Sequence, residues 1–201
     1  MIKAVIFDMG NVVLSNFTKI PFHENLSRFM GSKYEDFRPK IDKIFDKLEK
    51  GRITEKEFWQ KLFQIFKIPS KKNYKNFLTE EFRDNWTLNK GTVKIAKSVQ
   101  KSGYKIAILS NTIDPHVKYL KKKGWYKPFS ILVLSSEVGM KKPKIGIYKL
   151  TLKKLKVKAN ESIFIDNKKK NLIPAKKLGM KTIHFRNAKQ LETELKNMGI
   201  L

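Results

Sequence analysis

Two aspartates, a lysine and a Ser-Asn pair stand where short apolar runs of this chain stop. Asp8 follows Ala4 to Phe7, and Asp166 closes the run that starts at Ser162. Ser110, Asn111 and Thr112 end the run from Lys105, and Lys142 lies in GMKKP, after the run Ile131 to Ser135. One such aspartate would be unremarkable, because Asp is a common strand terminator and helix cap. Two carboxylates on neighbouring strands make an oxygen-rich site for Mg2+, which takes one or two carboxylates together with water and substrate phosphate. A lysine and a Ser/Asn pair converging there would hold the remaining phosphate oxygens. Ser110 and Asn111 could instead cap the following helix, and Lys142 could be one more solvated lysine. Cysteine is absent and the three histidines, His23, His116 and His184, are scattered. Thiolate nucleophiles, disulfides and Cys-type zinc sites are therefore excluded, and any metal must be held by oxygen.

The elements that would carry these residues follow from hydrophobic period. A short continuous apolar run that ends at a turn reads as a strand buried on both faces, the strand type of a parallel α/β sheet. Five runs qualify: Ala4 to Phe7, Lys105 to Ser110, Ile131 to Ser135, Ser162 to Asp166 and Lys181 to Phe185. From Leu88 onward they alternate with helical stretches, near Lys90 to Lys101, after Pro115, near Ile145 to Leu155 and up to Leu178, with Gly179 as its C-cap, before a final helix. The pattern is a doubly wound sheet, whose carboxyl edge is where ligands bind.

Residues 15–87 differ. Phe37, Ile41, Ile44, Phe45 and Leu48 form one helical stripe that stops at Gly51. Thr54 and Glu57 form a capping box, opening a helix in which Phe58, Leu62, Ile65 and Phe66 share a face. A third helical stretch runs from about Lys71 to Trp86 and carries Tyr74, Phe77 and Phe82. The expected organisation is an α/β core formed by 1–14 and 88–201, with a small all-helical insertion at 15–87 whose aromatic stripes are its own core.

At 201 residues and 41% hydrophobic content the chain can bury a proper core. No apolar run is long enough to span a bilayer and the N-terminus does not read as a signal peptide, so the expectation is a cytoplasmic protein without a membrane partner. The net charge of +26 invites a nucleic-acid reading. Only Arg28, Arg38, Arg52, Arg83 and Arg186 are arginine, however, against 44 basic residues in all. Arginine is the residue suited to bidentate phosphate and base contacts. A diffuse lysine excess is what a composition bias produces, so nucleic acid is possible but not the favoured partner. The oligomeric state is not readable.

FDMGNV, LSNT, the KP of GMKKP and FIDN, in this order and with a helical insertion after the first, resemble the four motifs of haloacid dehalogenase-like hydrolases with a type 1 helical cap. The resemblance covers nearly the whole chain. It is nearest the sugar-phosphate phosphatases of the glucose-1-phosphate phosphatase type, which share GRITEKEF-like cap residues and Gly two places after the nucleophile. It implies that Asp8 is the nucleophile and forms an aspartyl-phosphate. It places Mg2+ between the Asp8 carboxylate, the Gly10 carbonyl and Asp166. Ser110, the Asn111 backbone and Lys142 would hold the phosphoryl group of a small phosphorylated metabolite.

Two positions depart from the family pattern. Gly10 replaces the acid that usually protonates the leaving group, help typically worth about a hundred- to ten-thousandfold. A slow enzyme is expected, or one in which Asn11, substrate or water takes that role. Asn167 replaces the usual second acid of the fourth motif and Lys168 to Lys170 follow it, which should weaken the metal. Two other readings stand beside the phosphatase: a weakened member that binds RNA or another polyanion, and, less favoured, a 2-haloacid dehalogenase, which would leave Asp166 unexplained. His23, Trp59, His116, Asn16 and Phe17 are candidate specificity residues, with packing the more ordinary role for each.

Overall fold

The structure, a computed structural model, describes residues 1–16, 18, 20–69 and 74–201. Phe17 and the start of the third helical stretch, Lys71, lie outside the described residues. Five parallel strands form the main sheet: β1 (Ala4–Phe7), β4 (Lys105–Ser110), β5 (Ile131–Leu134), β6 (Ser162–Asp166) and β7 (Lys181–His184). Their spatial order is β5-β4-β1-β6-β7. The chain moves outward from β1 through β4 to β5, then crosses back to β6 and β7, so the order reverses between β1 and β6. β1 is fully buried and its side chains alternate between two cores. Val5 and Phe7 pack with α5 (Lys90–Lys101), α6 (Asp114–Lys122) and α10 (Ala188–Asn197). Ala4 and Ile6 face α8 (Ile145–Leu155) and α9 (Lys169–Lys177). This two-sided burial is why the strands read as continuous apolar runs rather than alternating ones.

Four helices are inserted after β1: α1 (Phe22–Met30), α2 (Tyr34–Glu49), α3 (Glu55–Phe66) and α4 (Phe77–Asn85). They enclose a third apolar cluster built on Leu26, Phe37, Ile41, Phe58, Trp59 and Leu62. The Thr54 hydroxyl accepts from Glu57 N–H at 3.2 Å and Glu57 Oε2 accepts from Thr54 N–H at 2.7 Å, as the capping box requires. Three expectations are corrected here. The buried face of α3 is Phe58, Trp59, Leu62 and Phe63, whereas Ile65 is 40% exposed. Among the described residues the third stretch is one 3-10 turn, Tyr74–Asn76, followed by an α-helix over Phe77–Asn85. Trp86 instead begins β3 (Trp86–Leu88), which pairs antiparallel with β2 (Leu14–Asn16). This ribbon straddles the boundary drawn from the sequence and pairs the two ends of the helical insertion. No helix among the described residues is long and apolar enough to cross a membrane.

Candidate active site

β1 stays in the sheet up to the Asp8 amide, which donates to the Ile165 carbonyl at 2.8 Å. The chain then turns, with the Asp8 side chain accepting from Met9 N–H at 2.7 Å and Asn11 in the left-handed region at φ 57°. Asn tolerates that region better than most residues. The turn lifts the Asp8 carboxylate clear of β1 at the point where strand order reverses.

Lys142 Nζ lies 2.7 Å from Asp8 Oδ1 and 2.7 Å from Asp166 Oδ2. The three residues are 6%, 0% and 2% exposed for Asp8, Asp166 and Lys142, so these are buried charges, tolerable only because they are paired and hydrogen-bonded. Burial raises the Asp8 carboxyl above its ordinary value; the Lys142 ammonium pulls against that rise and the Asp166 charge adds to it. For Lys142 burial alone would pull the ammonium down, but the two carboxylates outweigh it and hold it above the ordinary lysine value.

The groups around this triad fix its orientation. Asp166 also accepts from Asn171 Nδ2 at 2.9 Å through Oδ2 and from Lys168 N–H at 2.7 Å through Oδ1. Asn171 is itself tied down, since its carbonyl accepts from the Tyr148 hydroxyl at 2.8 Å. Asn111 clasps the Lys142 backbone in both directions: its Nδ2 donates to the Lys142 carbonyl at 2.9 Å and its Oδ1 accepts from the Lys142 amide at 2.8 Å. The Ser135 hydroxyl accepts from Thr112 N–H at 2.9 Å and donates to the Thr112 carbonyl at 3.0 Å, pinning the loop after β4. Ser110 is buried at the end of β4, and among the described residues its hydroxyl makes only a 3.4 Å contact with the Asn111 carbonyl.

The structure thus brings Asp8, Lys142 and Asp166 into direct contact and places Ser110, Asn111, Gly10 and Asn167 beside them on the same sheet edge. Neither Ser110 nor Asn111 caps α6, whose N-cap is Ile113. The sequence points to Asn111 as a phosphate donor or a helix cap but not as the residue that clasps Lys142, and it does not single out Asn171 or Ser135. Asn171 carried one signal, a short amide in the first turn of the helix after Asp166.

The remaining candidates separate clearly. Trp59 is 1% exposed inside the cap core, stacked on Phe63. His23 packs edge-on against Phe45. The His116 ring is stacked on Phe82 at 4.2 Å and its Nε2 lies 3.1 Å from the Leu78 carbonyl; burial lowers its pKa to about 3, which keeps it neutral and makes Nε2–H the donor. These three are packing residues. Asn16 instead lines a cleft of about 640 Å3, whose wall also contains Asn11 and Asn167.

The donors present fit a hard divalent cation. With both acids ionised the triad keeps one uncompensated negative charge. Asn167 Oδ1 is buried with no hydrogen-bond partner among the described residues, directly after Asp166. No cluster of three or more His, Cys, Asp or Glu occurs among the described residues, so two carboxylates, carbonyl oxygens and water would make up the shell, as Mg2+ prefers.

The fold is a five-stranded parallel sheet with a helical insertion after its first strand and a buried Asp-Lys-Asp triad at its switch point. The chain belongs to the haloacid dehalogenase-like hydrolase family, whose model matches residues 2–179. Among known proteins, D-ribitol-5-phosphate phosphatase of Bacteroides thetaiotaomicron is 26% identical, over 97% of both chains. Drimenol cyclase of Aspergillus calidoustus is 24% identical over 98% of this chain, which spans only 37% of that protein. A solved family enzyme of Bacteroides thetaiotaomicron, in a magnesium complex, superposes with a TM-score of 0.76 at 23% identity, covering 92% of this chain and 94% of that one.

Proposed function

We propose that this protein is a Mg2+-dependent phosphatase of small phosphorylated metabolites that works through an aspartyl-phosphate on Asp8. The observation that carries the reading is the triad: one ammonium 2.7 Å from each of two buried carboxylates at the sheet's switch point. The full-length relationship to a ribitol-phosphate phosphatase supports it. In this reading 1–14 and 88–201 form the catalytic core and 15–87 the cap.

Asp8 attacks phosphorus with its carboxylate. The bond from phosphorus to the leaving oxygen breaks, and water gives that oxygen its proton, because Gly10 has no group that could. A second water then attacks the phosphorus of the aspartyl-phosphate, releasing phosphate and restoring the Asp8 carboxylate. Lys142 holds the transferring phosphoryl oxygens and favours the charged form of Asp8 against the burial that raises its pKa, and Ser110 and the Asn111 backbone donate to the oxygens on the other side. Asp8, Asp166 and the Gly10 carbonyl would hold Mg2+, which when bound supplies charge neutralisation to the phosphoryl group. Phosphoryl transfer asks a protein mainly for such positioning and neutralisation.

The test is phosphate release from p-nitrophenyl phosphate and a set of sugar phosphates, with Mg2+ and with EDTA. Hydrolysis that EDTA suppresses and Asp8→Asn abolishes is expected. Undiminished activity in Asp8→Asn would overturn the reading.

A further inference from the structure

The cleft beside the triad has a one-sided chemistry. About 640 Å3 is the size of a small-metabolite site. Among the described residues its wall holds no acid: five asparagines, among them Asn11, Asn89 and Asn187, are joined by Ser15 and Arg186. Three of these asparagines have already committed their oxygen. Asn89 Oδ1 accepts from Thr92 N–H at 3.2 Å, Asn187 Oδ1 from Gln190 N–H at 2.9 Å and Asn11 Oδ1 from Asn16 N–H at 3.4 Å. A backbone N–H can bond only to the oxygen of an amide, so these contacts fix the side-chain orientation and leave Nδ2 as what each offers the cleft. Among the described residues three amide Nδ2 groups are thus left uncommitted beside one guanidinium, while Asn16 Nδ2 donates to the Ile20 carbonyl at 2.9 Å and Asn167 adds one unpartnered acceptor, its Oδ1.

Arg186 differs from three of the other four arginines. Arg28, Arg38 and Arg83 each have a carboxylate within 3.0 Å, on Glu24, Asp42 and Asp84. Arg186 has no ion pair among the described residues. In a chain that otherwise uses lysine, an arginine lining this cleft, one strand from Asp166, offers a planar fork that matches an oxyanion.

We infer that this cleft receives the leaving group of the substrate, and that the leaving group is hydroxylated and ends in a second oxyanion, carboxylate or phosphate, read by Arg186. The inference rests on the phosphatase reading of the triad, which fixes where the first phosphate lies. It assigns specificity to the loops after β6 and β7 and to the turn after Asp8, rather than to the cap helices. The amide donors serve hydroxyl oxygens, and the absence of any acid in the wall leaves the second anion unopposed.

Equilibrium binding tests this without turnover. In an Asp8→Asn background, with Mg2+ and at 0.15 M salt so that diffuse lysine attraction is screened, 3-phosphoglycerate and glycerol 3-phosphate are titrated by calorimetry. The former is expected to bind at least about tenfold more tightly, the effect of one charge-assisted bidentate contact. Adding Arg186→Met should bring the two to parity, and Arg186→Lys should restore only part of the preference. Lys153→Met, on an exposed helix face across the sheet, should leave the ratio unchanged. Glycerol 1,3-bisphosphate, titrated beside 3-phosphoglycerate, identifies the second anion: the larger loss of affinity on Arg186→Met falls on the ligand whose second anion the fork reads, and equal losses mean that it reads both. No preference in the Asp8→Asn protein, or a preference that survives Arg186→Met, would overturn the inference. A protein that discriminates through Arg186 but hydrolyses none of these esters would keep this inference and lose the phosphatase reading. Hydrolysis through Asp8 without the discrimination would do the reverse.

Discussion

At Gly10 the backbone runs at φ −71° and ψ 126°, values open to any L-residue, and a Cβ there would lie 3.8 Å from the Trp86 ring, an ordinary contact. The glycine is therefore not demanded by the turn, and an acid can be introduced. Gly10→Asp is expected to speed hydrolysis of alkyl phosphates, whose alkoxide needs a proton, by at least about tenfold. It should change p-nitrophenyl phosphate turnover little, because that leaving group departs as a stable phenolate. Steady-state kinetics on the two substrate types check this, and equal effects on both would show that the substituted acid is not protonating the leaving group. At this scale Asp8, Asp166 and Lys142 were legible in the sequence, the acids because each ends an apolar run and the lysine through its motif. The clasp of Asn111 on Lys142 and the bond from Asn171 to Asp166 were not. The direction in which an amide points depends on a neighbour 31 residues away in the first case, and period and spacing carry no such information.

Glu81 of α4 shows how the cap carries an internal cost. It is 7% exposed, and its Oε1 accepts from Asn25 Nδ2 at 2.9 Å, while its Oε2 is buried without a partner among the described residues. Burial raises its pKa from 4.5 to about 6, against the pull of the Asn25 bond. The folded state thus holds the proton more tightly than the unfolded one. The resulting stability is fully present below 4.5 and is lost as pH rises through about 6, a difference on the order of 2 kcal/mol. Glu81→Gln keeps the Oε1 acceptor and removes the charge. It should stabilise the protein at pH 7.5 by up to about 2 kcal/mol and leave it near wild type at pH 4, as read from denaturant melts at the two pH values.

The end of α2 meets the core where Gly51, at φ 62°, would place a Cβ 2.0 Å from the Ser136 carbonyl oxygen. Beside it Lys141, next in chain to Lys142, bridges Asp46 at 3.0 Å and Glu49. Gly51→Ala must move one backbone against the other, at a cost of about 2–3 kcal/mol. Gly31, at φ 70° with nothing within 4 Å, should cost only the left-handed penalty of roughly 1–2 kcal/mol when changed to Ala. Thermal melts of the pair separate a packed glycine from a merely left-handed one, and equal losses would contradict the close approach. The main strands and helices α5, α6, α8, α9 and α10 were legible because each buries an apolar run or face against the sheet, whereas the one-turn helix Ser135–Val138, whose first residue the sequence places at the end of β5, was not. α1 was not: its FHENLSRFM buries only Leu26, Ser27 and Met30. The β2-β3 ribbon was also invisible, since two three-residue strands about 70 residues apart have no period to detect.

For the molecule as a whole, 44 basic residues face 18 acidic ones, so most lysines have no acid to pair with. Two opposing terms respond to salt. Exposed pairs such as Lys118–Asp114 and Lys196–Glu192 are each worth at most about 1 kcal/mol and weaken as ionic strength rises. Mutual repulsion among the unpaired cations also weakens, and that relief stabilises the compact state. Because +26 charges remain after every acid is matched, the second term should win. The range of repulsion shrinks from about 30 Å at 0.01 M to about 3 Å at 1 M, so the gain should accumulate steeply at low salt and level off. The buried triad is shielded from this screening and should contribute little to the change. A melting temperature that climbs with NaCl between 10 and roughly 300 mM and then flattens is the expected result. A fall over that range would mean that the surface pairs outweigh the excess charge, and that the lysines are arranged to stabilise the fold rather than carried as a diffuse surplus.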